Sequence, residues 1–510
     1  MLANNWKNCT ATILFTEPGA VFVLAGGYIN IVGNVILDAS ALASPVTLTS
    51  TNGNSRSQQF FALTTKGSAF VAKNINFANN ARQVHSTSGT ATVVGNVLFL
   101  SSGMASFESC RFSNNSLSLT SAAGVNVGAG GGALRFAACS YVRFDDCSFE
   151  GNSVTVESRF AVGGAVSIAE PVGPSIFNRC TFVGNKIATT YTFAGGRAFT
   201  CGGAVYAEYQ PPSSPTPANQ SVTFTSCTFQ SNEARAAASL ALTGLPAFHV
   251  AGAAVATEPM APKPTNLDFT YVNCSFRGNT ATGSSVNISS TTQINVFGGA
   301  VSHSYGTVNV TSSTFLDNAA INSGFTTTPT PTPPVYRAFG GAVFFNGVVA
   351  TVDSSAFTNN TASAAVEGRG GGLSTQLHVI SATTGPFVNT LAISNTTWIA
   401  NKVLVNGGYG RSAYGGGYAM SCHNNQAYLC RLTTSASTIL TNNSASLVGT
   451  TVVGMTTAAL VQGGGIWVSQ MSLGATLTDV AFSGNQVYGE AGGTFSNVLT
   501  VEGGGLYLLY

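Results

Sequence analysis

The sequence predicts an all-β fold, a right-handed parallel β-helix solenoid. Three observations predict it: a phrase that recurs eleven times, a second phrase that alternates with it, and period-two apolar spacing within both. The first phrase is a small residue or Cys, any residue, a large apolar residue, two residues, then Asn. Its large residues include Phe112, Phe149, Phe182, Phe229, Phe276, Phe315 and Phe357, and the Asn three positions on are Asn115, Asn152, Asn185, Asn232, Asn279, Asn318 and Asn360. Phe77 precedes these copies; Trp398, Leu440 and Phe482 follow them. Successive anchors lie 33 to 47 residues apart, so the repeat is about 40 residues long.

The second phrase is a glycine pair or triplet leading into an apolar run, as in Gly163-Gly164-Ala165-Val166, Gly340-Gly341-Ala342-Val343 and Gly463-Gly464-Gly465-Ile466. Alternation such as Val142-Arg143-Phe144 and Cys147-Ser148-Phe149 puts Cys and Phe on one face of a strand. No 3.6-residue pattern is sustained, and the glycines and β-branched residues oppose helix. A propeller blade of this length needs four strands, whereas two strand signals per repeat are conspicuous. The expected architecture is therefore about two coils per repeat, a stack of about 25 coils roughly 120 Å long at a rise of about 4.8 Å. In it the Phe positions stack inside, the Asn positions hydrogen-bond at a bend, and the glycines permit a tight turn or close backbone approach.

Residues 1–60 read as strands leading into the helix and 61–510 as its continuous body. Pro-rich loops are expected near 211–219, 256–265 and 326–335. With 44% hydrophobic residues there is enough apolar material for a core, although only 7% are charged. A net charge of +2 with no basic run gives no reason to expect nucleic acid or an anionic membrane as partner, and no run of 18 apolar residues suggests a membrane span. Met1 to Lys7 do not read as a secretion signal, so a secreted form would have lost its signal.

The alternation of Gly-Gly-Ala-Val with Phe-x-x-Asn resembles the repeats of the chlamydial polymorphic outer-membrane proteins and related adhesin-like passenger domains of the pectin-lyase-like superfamily. The resemblance covers about residues 60–510. It implies a right-handed parallel β-helix exposed at a cell surface. The chain departs from the chlamydial pattern in having no recognisable C-terminal barrel and in carrying many glycosylation sequons, which implies a eukaryotic, algal-type secreted relative.

Nine Asn-x-Ser/Thr sequons occur, at Asn8, Asn114, Asn219, Asn273, Asn287, Asn309, Asn359, Asn395 and Asn442. Asn114, Asn359 and Asn442 each directly precede a ladder Asn, which places them at one exposed bend. Five of the ten cysteines, Cys110, Cys147, Cys180, Cys227 and Cys274, share one repeat position. Two coils apart they would be separated by roughly 9.6 Å. Bridging needs Cα atoms within about 7 Å, so buried free thiols are expected. Cys422 and Cys430 are the disulfide candidate if the compartment is oxidising.

Catalysis on a β-helix would need convergent carboxylates or a basic residue placed beside them. There are only seven Asp, and the one adjacent pair, Asp145-Asp146, occupies slots filled elsewhere by Thr, Ser, Asn, Arg or Val. One of the pair should face solvent. The histidines His85, His249, His303, His378 and His423 show no metal or triad spacing. No catalytic, cofactor or metal residues are therefore assigned. The expected function is an extracellular structural or adhesive glycoprotein. Its expected partners are its glycans, copies of itself assembling head-to-tail or laterally, and surface proteins or polysaccharides. The competing reading is a carbohydrate-binding or polysaccharide-cleaving β-helix; a groove with stacked aromatics would favour binding.

Overall fold

The structure is a computed structural model that describes residues 10–24, 29–50, 60–86, 91–121, 127–157, 159–191, 198–208, 220–238, 248–257, 267–285, 293–323, 335–377, 387–406, 412–422, 428–449, 459–491 and 499–509. Among them every regular element is a β-strand. One coil shows the plan. Leu134–Ala137 lies in sheet I, Tyr141–Asp145 in sheet II, Ser148–Glu150 in sheet III, Ser153–Glu157 in sheet IV and Phe160–Val162 in sheet V. Val166–Ala169 then returns to sheet I, pairing parallel with Leu134–Ala137. Sheets I to III have thirteen strands each and sheets IV and V eleven. The chain is a parallel β-helix. Residues 10–50 already contribute strands to sheets I, II and III, so the expected lead-in is part of the same stack.

The expected two coils per repeat are corrected. Phe112 pairs directly with Phe149, and Phe149 with Phe182, so one repeat is one coil of five strands. Thirteen coils rise roughly 60 Å, half the length expected. The two phrases mark bends on different sides of one turn. The Cys-x-Phe-x-x-Asn phrase runs through sheet III into sheet IV, and the Gly-Gly phrase joins sheet V to sheet I. The other strands leave a weaker trace, because those of sheets IV and V are rich in Ser, Thr and Ala.

The cross-section has two lobes. Sheets I, II and III enclose one core, to which this coil contributes Leu134, Phe136, Val142, Phe144, Cys147 and Phe149. Sheets IV and V enclose a second, with Val154, Val156 and Ala161. Identical residues stack through the first lobe. Ring centroids stand 4.8 Å apart for Phe112–Phe149, 4.7 Å for Phe182–Phe229, 4.6 Å for Phe276–Phe315 and 4.0 Å for Phe357–Trp398. A second column, on sheet II, runs Phe107, Phe144, Phe177, Phe224, Tyr271.

At the bend from sheet III to sheet IV a buried amide column runs from Asn80 to Asn485. Asn232 is typical: its Nδ2 donates to Asn279 Oδ1 at 2.9 Å and to the Phe182 carbonyl at 3.0 Å, and its backbone N–H donates to Asn279 Oδ1 at 3.1 Å. Every polar atom of a side chain with no access to water is thereby paired, which is the condition for burying it.

The turn from sheet V to sheet I needs its glycines for two reasons. Gly163 has φ +61°, and a Cβ on Gly164 would stand 1.9 Å from the Gly203 carbonyl of the next coil and 2.8 Å from the Lys186 carbonyl at the start of sheet IV. The glycine turn and the asparagine bend thus meet back to back at the neck between the lobes.

Candidate functional site: the groove outside the glycine turns

The bend at the glycines is concave on its outer side. The last residue of each sheet V strand and the second residue of the following sheet I strand therefore face each other outside both cores. In one coil these are Phe339 and Phe344, while Val343 between them points into the first core. Phe297 of the preceding coil joins them, its centroid 4.4 Å from Phe344 and 5.8 Å from Phe339. In the following coils the same slots hold Arg369, Tyr414 and Trp467. The Arg369 guanidinium lies 5.2 Å from the Phe339 ring, 5.5 Å from Tyr414 and 5.3 Å from Trp467, and Tyr414 stacks on Trp467 at 4.4 Å.

Polar groups form the walls. Glu367 accepts from Arg337 Nε at 2.9 Å and from Arg369 Nε at 2.6 Å. Burial raises the pKa of the Glu367 carboxyl, but the Arg369 and Arg337 charges and their hydrogen bonds outweigh it and hold the group below the usual range. It is ionised at neutral pH, and with two guanidinium groups the cluster carries one net positive charge. Trp467 Nε1 donates to Gln462 Oε1 at 3.2 Å, and Gln462 Nε2 to Glu502 at 3.1 Å. Gln293, Asn295, Gln376, Ser421, Ser469 and Gln470 complete a groove of about 470 Å³. Asn295 is 3% exposed and its Oδ1 has no partner, while its Nδ2 reaches His249 Nδ1 at 3.4 Å.

The sequence reading did not find this groove. The signal was present, since the residues flanking the glycine phrase turn aromatic or charged between Phe297 and Trp467, but the glycines alone were read.

The structure places three sequons at the bend expected for them and two more at another. Asn114, Asn359 and Asn442 occupy the sheet III–IV bend, one residue before the buried amide column, and Asn273 and Asn395 the sheet II–III bend. All five are exposed with left-handed φ of +47° to +55°, a conformation Asn tolerates better than most residues. Asn309 is half-buried within a sheet II strand. Asn8, Asn219 and Asn287, the body of the three Pro-rich loops, His378 and His423 lie outside the described residues.

Asp145 and Asp146 do not converge on a common point. Asp145 pairs with Arg143 at 2.5 Å and accepts from Asn178 at 2.9 Å, and the more exposed Asp146 pairs with Arg179 at 2.7 Å. His85 contacts Thr120, and His303 is buried, its Nε2 2.6 Å from the Tyr271 hydroxyl. Burial pushes the His303 imidazole down to about 3, so it is neutral. Cys422 and Cys430 form a disulfide, Cα atoms 6.5 Å apart, that joins a sheet I strand to a sheet II strand. The other described cysteines are buried free thiols. No group of three or more His, Cys, Asp or Glu suited to a metal occurs among the described residues.

Comparison with known proteins finds no matching family model, no matching curated protein and no matching solved structure.

Proposed function

We propose that the chain is an extracellular structural or adhesive glycoprotein, a stiff β-helical rod whose bends carry glycans. The observation that carries this reading is the recurrence of exposed, left-handed sequon asparagines at two bends of one solenoid, at each bend in coils that are not adjacent. Two of the amides can keep their present partner when modified: Asn359 Nδ2 donates to Asp317 at 2.6 Å and Asn395 Nδ2 to Asp353 at 3.2 Å, and a glycosylated amide keeps one N–H for such a bond. Glycans there would hydrate a surface poor in charge. The resemblance of the repeat to adhesin-like passenger domains points the same way. Partners under this reading are the glycans, further copies of the chain, and surface proteins or polysaccharides. Production through a eukaryotic secretory pathway, with glycopeptide mapping, tests it: occupancy is expected at Asn114, Asn273, Asn359, Asn395 and Asn442, and a secreted chain unmodified at all five counts against it.

The groove favours a second reading, carbohydrate binding. An aromatic floor under walls of Gln, Asn, Ser and Arg offers both stacking and hydrogen bonds to a sugar chain. Binding to a panel of neutral and acidic polysaccharides, compared with the Trp467→Ala protein, tests it. Loss of binding in the variant supports the reading; binding that the variant leaves unchanged removes the groove from it. Incubation with pectate or alginate, followed by assay for unsaturated products, separates binding from cleavage.

A further inference from the structure

One repeat being one coil changes the meaning of the five shared cysteines. The residues that follow them pair in direct register, Arg111 with Ser148, Ser148 with Thr181, Thr181 with Thr228 and Thr228 with Ser275. Cys110, Cys147, Cys180, Cys227 and Cys274 therefore stand one above another in five consecutive coils, at the buried inner side of the sheet II–III bend. Strands in a sheet lie about 4.8 Å apart. That separation falls inside the Cα range of a disulfide, about 4.4–6.8 Å. Each thiol interacts electrostatically with its neighbours in the column, Cys147 with Cys110 and Cys180, and Cys227 with Cys180 and Cys274.

The slot itself does not require sulfur. Each thiol donates to the carbonyl two residues back, Cys147 to Asp145 at 3.2 Å and Cys180 to Asn178 at 3.4 Å. In the next coils Ser313, Ser355 and Thr396 make the same bond at 2.9, 2.8 and 2.7 Å. Hydroxyls thus serve the bend as well, yet the cysteines are not mixed among them. They form one unbroken run, bounded by Ile75 on one side and Ser313 on the other.

We propose that this column is an oxidation site, in which vertically adjacent thiols join as disulfides that staple one coil to the next. Each bond removes a hydrogen from each of two thiols. The two protons and two electrons pass to a small disulfide such as oxidised glutathione, which leaves as two thiols, through a mixed disulfide that the neighbouring thiol resolves. Five thiols in a line form at most two bonds and leave one thiol, which can attack the adjacent disulfide and move the gap along the column. The five cysteines are no more than 2% exposed, so the bonds form while the coils stack, before the column is covered.

The test refolds the reduced full chain with oxidised glutathione in excess, blocks free thiols by alkylation under denaturing conditions, and maps peptides without reduction. The expected result is links only between neighbours (Cys110–Cys147, Cys147–Cys180, Cys180–Cys227 or Cys227–Cys274) and one alkylated column thiol per chain. The C180S protein keeps the hydrogen bond, as Ser313 does, and leaves two isolated pairs; it is expected to show Cys110–Cys147 and Cys227–Cys274 linked and no alkylated column thiol. Cys422–Cys430, already bridged in the structure, reports on oxidation elsewhere in the chain. Five alkylated or glutathione-capped column thiols in the wild-type chain overturn the proposal, with Cys422–Cys430 bridged or not. So do links between cysteines that are not neighbours.

Discussion

The two bends that meet at the neck of the coil are built on opposite plans. At the sheet III–IV bend the same residue, Asn, occupies the same position in every coil from Asn80 to Asn485, and each amide between these two ends is held by the coils on both sides. At the sheet V–I turn the constant feature is the first glycine, with positive φ in every coil from Gly95 to Gly503; the residue after it is glycine except at Asn96 and Ala253. The outer side changes from coil to coil: Val162, Cys201, Ala251, Phe297, Phe339, Arg369 and Tyr414 follow one another at the same position. A column in which each member satisfies its neighbours cannot vary one coil at a time without leaving a buried group unpaired. A concave outer face is free of that constraint. The uniform bend builds the rod, and the variable one is where recognition can differ along its length.

Substitutions on the two sides should separate these roles. Phe229→Ala, at the middle of the stacked column, removes a fully buried ring between Phe182 and Phe276 and should cost about 3–5 kcal/mol, read from chemical denaturation. Asn232→Ala leaves the Asn185 backbone N–H and Nδ2 without their acceptor, at about 1–3 kcal/mol for each group left unpaired. A cost below about 0.5 kcal/mol would mean that the amide column is decorative. On the glycine side, Gly164→Ala places a methyl against the Gly203 carbonyl and should cost about 1–3 kcal/mol of overpacking. The outer wall of the same turn should respond differently. Gln376→Ala should leave stability within about 0.5 kcal/mol while weakening any polysaccharide binding, so a thermal melt and a binding isotherm together distinguish scaffold from surface.

Much of the scaffold was legible in the sequence. Phe112 to Phe357 stack and Asn115 to Asn360 hydrogen-bond as their spacing implied, because a solenoid repeats its interior and repetition is visible in a single chain. The number of coils was not legible. Two phrases per repeat look the same whether they mark two coils or two corners of one, and only the strand register decides. That error carried into the cysteines, which a doubled rise had placed beyond bridging distance. The groove was missed for the complementary reason. Phe339, Arg369, Tyr414 and Trp467 do not repeat one residue type, and their meeting outside the glycine turn depends on its concavity, which no local pattern records. The sequon bends were read correctly at Asn114, Asn359 and Asn442 because each is tied in sequence to a ladder Asn.

The length of the rod tests the central claim, one coil per repeat, most directly. Images of single particles of the 510-residue chain, measured along the solenoid axis, should give a stack of roughly 60 Å for the thirteen coils. A stack of roughly 120 Å, the length two coils per repeat would require, would contradict it.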